Sequence, residues 1–169
     1  MVNLKELIDY FRKMADHPRR PREVNNIIEG RVPGIRGFVV DTVDADAGKK
    51  YQGLTRNQLP VLGMLLPTAL STSDDVDDIT ERTTVVIVLL DKFDPQRHGR
   101  TAVRVCIDTQ PIIEAIKMAM INDKAAGCHL LNRLDLRSFS TMPETGVYGN
   151  LAGWSLGFSF ETVDCPPDM

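Results

Sequence analysis

The chain predicts an α+β fold: a mixed or mainly antiparallel sheet of about five strands packed against two amphipathic helices, with long loops. Three observations carry this. Trp154, Leu156, Phe158 and Phe160 alternate strictly with Ser155, Gly157, Ser159 and Glu161, the period of two of a half-buried strand. Residues 83–93, Thr-Thr-Val-Val-Ile-Val-Leu-Leu-Asp-Lys-Phe, form a β-branched run apolar on both sides, as in a central strand of a sheet covered on both faces. Two further stretches, Leu4, Leu7, Ile8, Phe11, Met14 and later Ile112, Ile113, Ile116, Met120, repeat with the helical period of 3.6. Helices with one apolar stripe and strands with bulky faces bury each other in layers.

In chain order, the first helix opens at Asn3 with Glu6 three residues later, a variant capping box. Lys5, Asp9, Arg12 and Lys13 lie on its polar side, and Pro18 and Pro21 end it. Residues 22–35 leave two alternatives: Val24, Ile27 and Ile28 line a short helix closed by Gly30, or belong to an extended segment. Residues 37–43 are a β-branched strand, and residues 44–50 read as a turn or a long loop. Residues 59–67, apolar and bounded by Pro60 and Pro67, suit an edge or bent strand. A long loop rich in Ser, Thr and Asp comes next, and residues 83–93 return to the sheet. After a turn at 94–99, residues 100–107 are weakly extended. The second helix begins near Asp108 or Gln110, with Pro111 in its first turn and Gly127 as its stop. Met118 falls on its exposed side, where an apolar residue suits a partner surface. Leu130, Leu131, Leu134, Leu136 and Phe139 precede a turn-rich stretch over 142–150. The last strand, 153–161, completes a single domain over residues 1–163, followed by a short tail over 164–169. The loops over 48–57 and 68–81 are long for such a domain, and loops of that length are commonly functional or disordered.

With 169 residues the chain is long enough for one domain with a real core. A net charge of −3 supplies no general electrostatic reason to bind nucleic acid or an anionic membrane. The local exception, His17-Pro18-Arg19-Arg20-Pro21-Arg22, reads as a solvated linker. The longest apolar run, residues 85–90, falls far short of the roughly 20 residues a bilayer requires. Asp9 and Lys13 interrupt the N-terminal apolar pattern, so no signal-peptide core is present and synthesis in the cytoplasm is expected. Cys106, Cys128 and Cys165 are odd in number and lack short paired spacing, which argues against a disulfide framework.

The chemical motifs fail on context. Gly153-x-Ser155-x-Gly157 matches a nucleophile elbow, but no helical pattern follows Gly157 and no histidine follows Ser155; Ser155 reads as a strand residue on the polar face. A zinc site from Cys106, Cys128, His129 and His98 lacks a C-x-x-C pair. Residues 44–55 place Lys49 and Thr55 where an EF-hand needs Gly and an acid, and Val43 stands where a phosphate loop needs Gly. Asp74, Asp75, Asp77 and Asp78 are close enough to suit a hard cation such as calcium, but without the accompanying glycine they read as an acidic loop. His98, Asp91 and Asp94 are near in sequence, as solvated turn residues commonly are. No metal or cofactor is called for, and no catalytic residue is assigned.

In its order of elements the chain resembles the tail-terminator and head–tail joining (neck) proteins of tailed phages. Three stretches carry the likeness: the leading amphipathic helix; residues 59–67, a loop and the strand 83–93; and the helix 111–126 followed by the strand 153–161. The resemblance implies a structural, non-enzymatic virion component, a homo-oligomeric ring between tail-tube and head-connector proteins, with neither membrane nor sequence-specific nucleic acid binding. Within it, the expected subunit contacts are the basic Arg19, Arg20 and Arg22, the acidic Asp74, Asp75, Asp77, Asp78 and Glu81, and Met118. Opposite charges meeting across neighbours would set register. The alternatives are a small ligand-binding module or enzyme with a pocket under the long loops, and a ring component of a contractile injection machine.

Overall fold

A computed structural model describes residues 2–15, 23–24, 27–28, 32–41, 47–72, 80–96 and 99–163. The fold is α+β. Helix α1 (Leu4–Met14) and helix α3 (Ala102–Ala125) pack on a mixed sheet, and a short helix α2 (Ala47–Gln52) lies between its strands in sequence. The sheet consists of β3 (Gly37–Asp41), β4 (Val61–Leu65), β5 (Thr68–Thr72), β6 (Thr80–Lys92), β7 (Leu134–Val147) and β8 (Leu151–Val163). Its order is β3-β4-β6-β8-β7, with β5 also paired to β6. Only the β3–β4 pair is parallel. A separate antiparallel pair, β1 (Glu23–Val24) and β2 (Ile27–Ile28), resolves the open segment in favour of extended chain.

The β6–β8 ladder is unbroken from Thr80↔Val163 to Lys92↔Leu151, and this long pairing is the spine of the domain. Its helix-facing side carries Val85, Ile87, Leu89, Leu156, Phe158 and Phe160, all buried against Leu7, Phe11, Met14, Ile113, Ile116 and Met120. Phe158 is the hub, with ring centroids 5.8 Å from Phe11, 6.0 Å from Phe139 and 5.8 Å from Phe160. α1 begins where Asn3 accepts the backbone N–H groups of Lys5 and Glu6, while its amide donates to the Glu6 carboxylate. Tyr10 then ties it to α3 by donating to Asp123 at 2.7 Å.

Several expectations are corrected. α3 starts at Ala102, capped by the Thr101 hydroxyl, which accepts the Arg104 N–H at 3.2 Å; residues 102–107 are helical, and of the segment expected to be extended Thr101, in the cap, has extended backbone angles. Pro111 therefore sits well inside the helix. It lies on the exposed side, where the carbonyl that its missing N–H leaves unpaired is open to solvent. Residues 134–147, expected to be partly turn, are one strand, and Pro143 fits there because β7 is an edge of the sheet. β4 is internal, paired on both sides, because Pro60 and Pro67 fall just outside it. The supposed long loops contain α2, a 3₁₀ turn at Arg56–Gln58, and β5. β6 is central as expected, but its second face is covered only in part: Val88 and Leu90 pack under Tyr51, whereas Thr84 is exposed and Val86 half-buried.

Candidate functional site

Of the residues expected at subunit contacts, Arg19, Arg20, Arg22, Asp74, Asp75, Asp77 and Asp78 lie outside the described residues. Glu81 is on β6, opposite Ser71 of β5 and Thr162 of β8. Met118 stands on α3 at 50% exposure, and it is not alone. Val103 and Ile107 are also exposed, at 64% and 54%. At 100° per residue, positions 103, 107, 111 and 118 fall on one stripe. The opposite side of the same helix buries Val105, Cys106, Thr109, Ile113, Ile116 and Met120. α3 thus carries exposed apolar residues on the side away from its buried face, with exposed Glu114 lying among them.

The residues singled out for chemistry are used by the fold. Ser155 is mid-strand in β8, between Val88 and Met142. Gly153 is a glycine because a Cβ there would overlap the Leu89 carbonyl, at φ +154°. The Cys106 thiol donates to the Gly153 carbonyl at 3.3 Å, and Trp154 Nε1 donates to the Cys106 carbonyl at 2.8 Å. Cys128 lies beyond the far end of α3, about 30 Å away by the helical rise, so the two thiols do not share a metal. His98 lies outside the described residues, and the carboxylates near it are engaged elsewhere. Asp91 accepts from Arg100 at 2.6 Å, and Asp94 accepts the Gln96 N–H at 2.9 Å.

Around those carboxylates is a cleft of about 650 Å³, lined by Arg36, Arg56, Lys92, Phe93, Asp94, Arg100 and neighbouring groups. Its cations come from four separate stretches that the fold gathers. Arg36 precedes β3, and its N–H donates to the Pro60 carbonyl at 2.9 Å. Arg56 is carried by the 3₁₀ turn, which seats against β3 because Gly37 has no Cβ: the Gln58 carbonyl comes within 2.6 Å of where one would stand. Lys92 ends β6 and reaches the Leu54 carbonyl at 3.5 Å. Arg100 is clamped by Asp91 and, at 3.0 Å, by Asp108. Burial opposes its charge, but the two carboxylates outweigh this and hold the guanidinium above its usual range. Arg36, Arg56 and Lys92 have no ion pair among the described residues. No periodicity in the sequence links positions 36, 56, 92 and 100, so only the fold reveals the cleft.

Among the described residues no cluster of His, Cys, Asp and Glu is arranged to hold a metal ion, and no helix is long and apolar enough to cross a membrane. The chain matches no known family model, and no curated protein matches it.

Proposed function

We propose that the chain is a structural, non-enzymatic virion component of a tailed phage or prophage: a ring-forming tail-terminator or head–tail connector. The observation that carries this is the outer stripe of α3. Val103, Ile107 and Met118 stand exposed on the side of α3 away from its buried face, an apolar surface that a further copy would cover. Identical copies meeting through heterologous contacts close such stripes in a ring. The order of elements, with a leading helix, β4 before β6, and α3 before β8, supports the phage assignment. Its partners are tail-tube and head-connector proteins, and its place is the virion.

The test is the mass in solution across concentration, by light scattering after size exclusion. Closed multimers are expected for the native chain. Val103→Asp with Ile107→Asp should yield monomers whose unfolding free energy shifts by no more than about 0.5 kcal/mol, since both positions are exposed. A native chain that remains monomeric at every concentration and with tail-tube protein added would overturn the proposal.

A further inference from the structure

Resting on the ring reading, we propose that the cationic cleft receives a run of carboxylates from a second copy of this chain, residues 74–78 of the neighbouring subunit. Within a chain of net charge −3, the cleft concentrates Arg36, Arg56 and Lys92 without carboxylate partners among the described residues. Asp91 is neutralised by Arg100. Asp94 is turned into its own loop, accepting from Gln96 and packing against Gly99. One carboxylate would match only one of three cations carried by three separate stretches of the chain. A multiply charged segment matches all of them, and arginine forks suit carboxylates bidentately. The densest acidic run in the chain is Asp74-Asp75-Val76-Asp77-Asp78.

Reach decides whose segment it is. The run lies between Thr72 and Thr80, which pair with each other at the start of β6. The cleft lies at Asp91 and Lys92, the other end of that 13-residue strand, about 40 Å away at 3.3 Å per residue. Residues 73–79, tied at both ends, extend at most about 14 Å from their anchors. A chain therefore cannot fill its own cleft. With acceptor at one end of β6 and donor at the other, the contact is head to tail, the heterologous geometry that closes into rings.

The first arm uses a fluorescein-labelled peptide of residues 72–80 and the full chain, read by anisotropy at low and high salt. Saturable binding that weakens with salt is expected, about ten-fold weaker for Arg36→Glu with Arg56→Glu, and for a peptide with its four aspartates changed to Asn. Both arginines are exposed, and circular dichroism checks the fold. In the second arm, light scattering should show that Arg36→Glu with Arg56→Glu fails to assemble. Asp75→Arg with Asp77→Arg should fail likewise, while the chain carrying all four changes should assemble again. Peptide binding indifferent to the arginines, or multimers indifferent to both pairs, would overturn the inference and leave the ring reading standing. Binding of pyrophosphate but not peptide would overturn it in favour of a small-anion site. Peptide binding by a chain that never multimerises would remove the second copy as occupant through failure of the ring reading, not of the cleft's preference.

Discussion

The sheet's two faces are closed by different means. Under α1 and α3, residues from β4, β6 and β8 meet two long helices in one continuous apolar layer centred on Phe158. On the other side, Val39, Val61, Val88 and Leu90 are covered by Tyr51 of α2, Leu59 and Leu151, with Tyr148 stacked on Tyr51 at 4.8 Å. That smaller cover also buries polar groups. Asp41 is 1% exposed, and neither its carboxylate oxygens nor the Tyr51 hydroxyl has a hydrogen-bond partner among the described residues. Beyond the cover the face runs out to the surface at Thr84, Ser140 and Met142. The helix-packed face supplies the bulk of stability. The tyrosine face is held by a six-residue helix and buries these three atoms of Asp41 and Tyr51, where the helix-packed face buries the Thr83 hydroxyl, likewise without a partner among the described residues. Local opening is therefore expected to start on the tyrosine face.

The largest effect that tests this contrast is at the hub. Phe158→Ala removes a side chain that is 1% exposed and touches three other rings, and should cost about 3–5 kcal/mol in urea unfolding. Tyr51→Phe, deleting only an unpaired buried hydroxyl, should be neutral or stabilise by up to about 1 kcal/mol. Equal losses from the two would break the comparison. A middle-sized effect sharpens it. A Cβ at Gly63 would collide with the Tyr51 hydroxyl and with Val88, so Gly63→Ala should cost about 1–3 kcal/mol. In the Tyr51→Phe background that cost should shrink, because half of the collision is gone. A cost identical in both backgrounds would show that the hydroxyl is not what Gly63 makes room for.

The same contrast explains what was legible in the sequence. β6 and β8 were readable because both bury a continuous apolar layer, and burial imposes the period of two on Trp154, Leu156, Phe158 and Phe160. β7 was not: it is an edge strand with register shifts between Asp135 and Ser140 and between Thr145 and Val147, so its side chains mostly face water and no alternation is enforced. α2 was hidden because, among its described side chains, Tyr51 alone is buried. The first turns of α3 were missed because Pro111 suggested a helix start, although Thr101, Val105 and Thr109 were already in helical spacing. Of the exposed apolar residues on α3, Met118 could be seen as a single apolar residue on a polar side. The stripe it belongs to could not, since Val103 and Ile107 precede the start that was inferred.

The smallest effect is a pH dependence confined to the tyrosine face. Burial first, then the negative charges of Asp41 and Tyr148, push the Tyr51 phenol well above its ordinary value of about 10. Below that pH both folded and unfolded chains keep the proton, and the contribution to stability is fully present. Above it the unfolded chain releases the proton while the folded chain holds it, so folding weakens by up to about 1.4 kcal/mol per pH unit until the folded phenol also ionises. Tyr148 is raised in the same direction by burial, Asp41 and Glu144, and its share persists when Tyr51 is replaced. The difference in unfolding free energy between the native chain and Tyr51→Phe should therefore be flat up to about pH 10 and then move in favour of Tyr51→Phe by about 1 kcal/mol near pH 11. Asp41→Asn, which removes the second cause, should leave the slope just above pH 10 in place, because burial remains, and lower the pH at which the folded phenol ionises and the dependence levels off. A difference that stays constant to pH 11 would mean that Tyr51 ionises as freely in the folded chain as in water, and that the cover over this face is already open.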